Sequence, residues 1–178
     1  MVVGTPFLTV EQIQKKNREL ADRISADYRG KNLLAVGILK GAFIFFSDLV
    51  RLIRVPLTID FIIASSYLKD KTSGEIKIHY HLREDIAGRD VLLVEDIVDS
   101  GHTIASVLEL LQVRQPNSLK VCALLDKAER REAVVPIHYR GFSIPNKFVF
   151  GYGLDLDEYY RNLPFVGVVD LTKYRPPE

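Results

Sequence analysis

The stretch from Val91 to Thr103, VLLVEDIVDSGHT, constrains this chain more than any other. Val91, Leu92, Leu93 and Val94 form a short unbroken apolar run, the pattern of a strand covered on both faces in a parallel sheet. Asp99, Ser100 and Gly101 are turn formers that break it. Past Thr103 the apolar residues Ile104, Val107, Leu108 and Leu111 recur at spacings of three and four, so the chain becomes helical. A strand that passes through an acidic turn into a helix puts three carboxylates, Glu95, Asp96 and Asp99, where the strand ends. Ser100, Gly101, His102 and Thr103 then offer backbone amides at the positive end of a helix dipole. Such a turn can hold a phosphate on its amides and sugar hydroxyls on its acids.

The rest of the chain repeats the strand and helix alternation. Thr9 followed by Gln12 is a capping-box signature, and Val10, Ile13, Leu20, Ala21 and Ile24 carry one apolar face to about Tyr28. Leu33 to Leu39 reads as a buried strand. Lys40 and Gly41 form a turn, and Ala42 to Ile53 follows as an amphipathic helix. Leu57 to Ile63 reads as a further strand. The polar stretch after it, including Ser65, Ser66, Tyr67 and Gly74, is turn-forming, and Ile76 to Tyr80 resumes alternation. Pro116 ends the helix that follows the central motif, and Leu119 to Leu125 is another core strand with Asp126 and Lys127 at its tip. Glu129 to Glu132 reads as a solvated charged loop. Phe148 to Phe150 and Phe165 to Val169 are short strands around an acidic corner of Asp155, Asp157 and Glu158. No linker or repeat divides the chain. Right-handed crossovers between these elements predict an α/β fold with a parallel sheet covered by helices on both faces, the ligand lying over the carboxyl ends of its strands.

Length and charge narrow the function. A chain of 178 residues with a hydrophobic fraction of 47% suits one domain with a sizeable core. Its net charge of +1 gives no bulk attraction to nucleic acid or to an anionic membrane, so any anion site is local. Cys122 is the single cysteine, which excludes an internal disulfide and a cysteine metal cluster, and its apolar neighbours make it a core filler. No run reaches the ~18 apolar residues of a membrane span and no signal-peptide core opens the chain, so a cytoplasmic location is expected.

The central motif resembles the phosphoribosyl-pyrophosphate (PRPP) loop of the purine phosphoribosyltransferases: apolar strand, Glu-Asp, two apolar residues, Asp, Ser or Thr, Gly, any residue, Thr. Every position of that pattern is filled here. The resemblance extends in order from about Leu33 to Val169. It implies the type I phosphoribosyltransferase fold over residues 1–178, with a lid at about 64–75 and a purine-binding hood at about 141–178. It also implies transfer of the 5-phosphoribosyl group from PRPP to a 6-oxopurine, hypoxanthine and also guanine, with Mg²⁺ as cofactor and a homodimer or homotetramer as the assembly. Glu95 and Asp96 would hold the ribose hydroxyls, and Asp99, Ser100, Gly101, His102 and Thr103 would wrap the 5′-phosphate. Lys40, Gly41 and Arg161 would meet the pyrophosphate, with a non-proline cis peptide between Leu39 and Lys40, while Ser66 and Tyr67 would belong to the lid. Lys127 would donate to the purine 6-oxo group, Phe148 would stack on the base, and the Val149 backbone would meet its edge. Asp155 would face the 2-position and, with Glu95 and Asp96, hold the metal. Asp99 is the candidate general base for purine N7. Outside that resemblance, Lys40 and Lys127 read equally as surface lysines, Phe148 as core, and Arg161 as a surface cation. A xanthine-preferring enzyme of the same class, an RNA-binding regulator on the same fold and a signalling receiver-like domain are the alternatives.

Overall fold

The computed structural model describes residues 6–66, 76–80 and 82–170. Tyr67 and the remainder of the expected lid to residue 75 lie outside these residues, as does the side chain of Ser66. The first helix, α1 (Val10–Asp27), starts where its cap dictates. The Gln12 amide donates to Thr9 Oγ1 at 3.3 Å, and the Thr9 amide donates to Gln12 Oε1 at 2.8 Å. Two orphan donors of the first turn are thereby satisfied. After α1 come β1 (Leu33–Leu39), α2 (Phe43–Leu52), β2 (Leu57–Ser66), β3 (Ile76–Tyr80), β4 (Asp90–Val98), α3 (His102–Gln112) and β5 (Ser118–Asp126). A 3₁₀ turn (Ala128–Arg130), β6 (Tyr139–Ser143), β7 (Val149–Phe150) and β8 (Gly167–Val168) complete the chain.

Six strands form one sheet in the order β3-β2-β1-β4-β5-β6, parallel except for the antiparallel edge strand β3. Alternate residues of β1 and β4 serve opposite faces. Leu33, Ala35, Leu92 and Val94 pack under α1 and α2, whereas Leu34, Val36, Leu93 and Val91 pack under α3 with Ile104, Val107 and Leu111. Burial on both sides is why these strands read as continuous apolar runs rather than alternating ones. Cys122 is fully buried among the apolar residues beneath α1 and α2. The chain leaves β1 towards β2 on one side and β4 towards β5 on the other, so strand order reverses between the two central strands. Open α/β sheets bind ligands at such a reversal, outside the carboxyl ends of the strands.

Three sequence expectations change. Glu95 and Asp96 lie inside β4 rather than after it, because β4 stays paired with β5 as far as Val98 opposite Asp126. Tyr139–Ser143 forms a sixth strand of the main sheet, parallel to β5, so residues 141–143 belong to the sheet and not to the hood. The segment expected as a solvated loop begins with the 3₁₀ turn and then turns Arg131 inward to Asp126, a strand-tip acid only 1% exposed that also receives Arg140 Nε at 2.8 Å. The two guanidinium groups offset the loss of water around a buried acid.

The hood is the two-stranded β7-β8 sheet and its connecting corner. It is moored from below. Tyr152 donates its hydroxyl to Asp48 Oδ2 of α2 and accepts from Asn17 Nδ2 of α1, both at 2.7 Å. The Leu8 and Val166 backbones pair, which ties the segment before α1 to the start of β8.

Candidate active site

A cavity of about 550 Å³ opens over the carboxyl ends of β1 and β4 and under the hood corner. Its floor is the turn from β4 into α3. Gly101 caps α3 with a φ of 91°, a left-handed conformation that an L side chain resists. A Cβ at this position would stand 2.8 Å from the Ala133 carbonyl oxygen. The Ser100 carbonyl accepts from the Glu132 amide at 2.9 Å and the Ala133 amide at 3.0 Å, which ties the turn to the loop after the 3₁₀ turn. Ser100, Gly101 and Thr103 all line the cavity. His102 does not; its exposed ring meets Glu132 Oε2 at 3.0 Å.

Glu95 and Asp96 are both buried at the cavity wall. Burial pushes the Glu95 carboxyl well above its ordinary value, and the charge and hydrogen bond of Asp96 push it further. Burial also raises Asp96, against hydrogen bonds from Glu95 and from the Ile97 amide at 2.8 Å. Two adjacent desolvated acids favour a shared proton or a cation between them and a ligand. Across from them the Leu39–Lys40 peptide is cis. Gly41 follows so closely on Asp96 that a Cβ there would fall 1.9 Å from Oδ2, so no side chain fits beside the acid.

Asp99, at the mouth of the turn, accepts from Lys127 Nζ at 2.9 Å and from Arg130 Nε at 3.1 Å. Lys127 is itself 7% exposed in its side chain, so it is a buried cation paired with an acid and not a surface lysine. On the hood side, Arg161 donates to the Gly153 carbonyl at 2.9 Å and pairs with Asp155 at 2.9 Å and Glu158 at 3.2 Å. Lys40 pairs with the other oxygen of Glu158 at 2.7 Å. The Lys40 hydrogen bond and the Arg161 charge hold the Glu158 carboxyl below the ordinary carboxylate range.

The fold therefore gathers Lys40, Gly41, Glu95, Asp96, Asp99, Ser100, Gly101, Thr103, Asp155 and Arg161 around one cavity. Lys127 reaches it only through Asp99, while Phe148 stands half exposed and Val149 is buried in β7, both beyond its lining. The expected metal ligands are not assembled into a cage, since among the described residues no group of three or more His, Cys, Asp or Glu side chains could hold an ion. Asp155 is occupied by Arg161 and by the Glu158 amide at 3.0 Å. Glu158 itself was visible in the sequence only as part of an acidic corner; its place between two cations is a tertiary fact.

A glycine-capped turn at the strand-order reversal, paired acids beside it and cations above make an arrangement suited, in an α/β protein, to a phosphorylated sugar or nucleotide. The family model of the phosphoribosyl transferase domain matches residues 7–157, and the chain belongs to that family. It is 48% identical over 180 residues to the hypoxanthine-guanine phosphoribosyltransferase of Mycobacterium avium, covering 97% of this chain and 89% of that protein. The crystal structure of a Staphylococcus aureus hypoxanthine phosphoribosyltransferase superposes with a TM-score of 0.93 at 44% identity, covering 98% of this chain and 96% of that one. A hypoxanthine phosphoribosyltransferase from Trypanosoma cruzi, solved in complex with the product IMP, gives a TM-score of 0.90 at 37% identity over 97% of each chain.

Proposed function

We propose that this protein is a purine salvage enzyme that transfers the 5-phosphoribosyl group from PRPP to hypoxanthine and guanine, giving IMP or GMP and pyrophosphate. One observation carries the reading: a glycine-capped turn at a helix start, two acids suited to hydroxyls and two cations suited to pyrophosphate line the same cavity in a member of this family. The amides of Ser100 to Thr103 bind the 5′-phosphate, and Glu95 and Asp96 take the ribose hydroxyls. Lys40, the Gly41 amide and Arg161 bind and neutralise the pyrophosphate as it departs. Asp99 removes the proton from purine N7, a role for which its present partner Lys127 must turn towards the 6-oxo group of the base. Lysine offers only donors, so that contact accepts a 6-oxo oxygen and refuses the 6-amino group of adenine. Phe148 stacks on the base and the Val149 backbone meets its edge.

The donor set fits Mg²⁺, a hard cation usually held by one or two carboxylates together with substrate oxygens and not by an all-protein cage. Glu95, Asp96 and Asp155 would hold it, and the bound ion supplies charge neutralisation to the pyrophosphate. The assembly is a homodimer or homotetramer through α2. Phe43 on that helix is 42% exposed, and Ile59 of β2, on the face that packs Phe61 against Phe46, is 51% exposed. A protein acting on these metabolites is placed in the cytoplasm.

The test is nucleotide formation from PRPP and Mg²⁺ with each of hypoxanthine, guanine, xanthine and adenine. Hypoxanthine and guanine are expected to react and adenine is not, and Lys127→Ala should narrow the gap between hypoxanthine and adenine by ~10-fold or more. A preference for xanthine would reassign the substrate, and no turnover with any base would remove the enzymatic reading.

A further inference from the structure

The two cations assigned above to pyrophosphate are both engaged by one acidic side chain. Glu158 Oε2 lies 2.7 Å from Lys40 Nζ, and Glu158 Oε1 lies 3.2 Å from Arg161 Nη2. Lys40 follows β1 and Arg161 belongs to the hood, so a single carboxylate joins two elements across the cavity. Its backbone is set for this position, with a φ of 67° and its amide donating to Asp155 Oδ2 at 3.0 Å. The Glu158 side chain is 65% exposed, so packing does not hold it; the two ion pairs do. A planar anion with two oxygens, one on each cation, has the charge sign and the reach of the group those cations await.

We propose that Glu158 is a built-in stand-in for pyrophosphate, a positioning residue that keeps Lys40 and Arg161 poised and competes with the diphosphate for them. The inference rests on the reading of Lys40 and Arg161 as pyrophosphate ligands. The exchange runs in both directions. An incoming diphosphate carries more negative charge than the carboxylate and displaces it, and Glu158 recaptures both cations as pyrophosphate departs. The consequence is looser pyrophosphate binding and easier release than the cations alone would give.

The test uses the full chain with Glu158→Gln and, as a second variant, Glu158→Ala, and measures inorganic pyrophosphate binding by calorimetry with Mg²⁺ present. Both variants should bind pyrophosphate ~3–10-fold tighter than the parent at low ionic strength, the range two exposed ion pairs can contribute, and salt should shrink the gain. Product inhibition by pyrophosphate should strengthen by the same factor. IMP, whose single phosphate is assigned to the Ser100 to Thr103 turn, should bind parent and variants alike. Unchanged or weaker pyrophosphate binding in both variants overturns the proposal, and so does an equal gain for IMP. A merely loosened hood weakens both ligands and cannot produce the expected split. If the parent makes nucleotide and the variants show no gain, the stand-in role fails while the function stands. If the parent binds pyrophosphate but turns over no purine, the function fails, and the binding comparison still decides the role of Glu158.

Discussion

The turn after β4 and the hood corner at residues 154–161 face one cavity but are built differently. The turn is made of backbone: a left-handed Gly101 and a Ser100 carbonyl tied to two amides of the following loop. The corner is made of side-chain charge, with Arg161, Asp155, Glu158 and Lys40 in ion pairs, two of these side chains about two-thirds exposed. Backbone geometry survives salt and ligand exchange, whereas exposed ion pairs are screened and rearrange easily. Under the proposed function, the turn supplies fixed recognition and the general base, while the corner grips, neutralises and releases the pyrophosphate.

Breaking the turn's chemistry should have the largest effect. Asp99→Asn removes the base candidate while leaving the amides in place, so kcat should fall by ~10²–10⁴ with PRPP affinity within a few-fold of the parent. Stopped-flow turnover with calorimetric PRPP binding reads both quantities. If Arg161→Ala lowers kcat as far, with PRPP saturating, the division between the two regions is wrong.

Breaking the turn's shape comes next. Gly101→Ala places a side chain at a φ of 91° and 2.8 Å from the Ala133 carbonyl. The strain of a left-handed L residue, with that clash, should weaken PRPP and IMP binding on the order of 10- to 100-fold. An IMP affinity equal to that of the parent would show that the backbone does not read the phosphate.

The smallest effect concerns stability. The Glu95 and Asp96 carboxyls stand above their ordinary values of 4.5 and 3.8 in the fold. The folded chain therefore keeps protons that the unfolded chain has already lost. Stability falls as pH rises from about 4 through the raised values, and the full penalty is present above them. Glu95→Gln should raise the Tm at neutral pH by a few degrees, on the order of 1 kcal/mol, while weakening PRPP binding. The gain should vanish near pH 3.5. A lower Tm at neutral pH would mean that the acid pair stabilises the ligand-free fold.

The central motif is legible in the sequence because its residues are neighbours in the chain. An apolar run, a turn former and a helical period are local signals, and the capping box at Thr9, the strand at Leu33–Leu39 and the helix start after Gly101 follow them closely. Tyr139–Ser143 was missed because an edge strand with a single covered face has no apolar run to announce it. The inward turn of Arg131 was missed because its partner, Asp126, sits at the tip of another element.

By itself, the sequence determined the alternation of strands and helices, the family and the Val91 to Thr103 motif beside the cavity, since each is written in local pattern. Tertiary structure alone decided which charges face one another. Lys127 meets Asp99 across 28 residues of chain, and Glu158 meets Lys40 across 118. Pairings at such separations depend on where the sheet brings its strand tips together, and no short-range pattern of residue types encodes that.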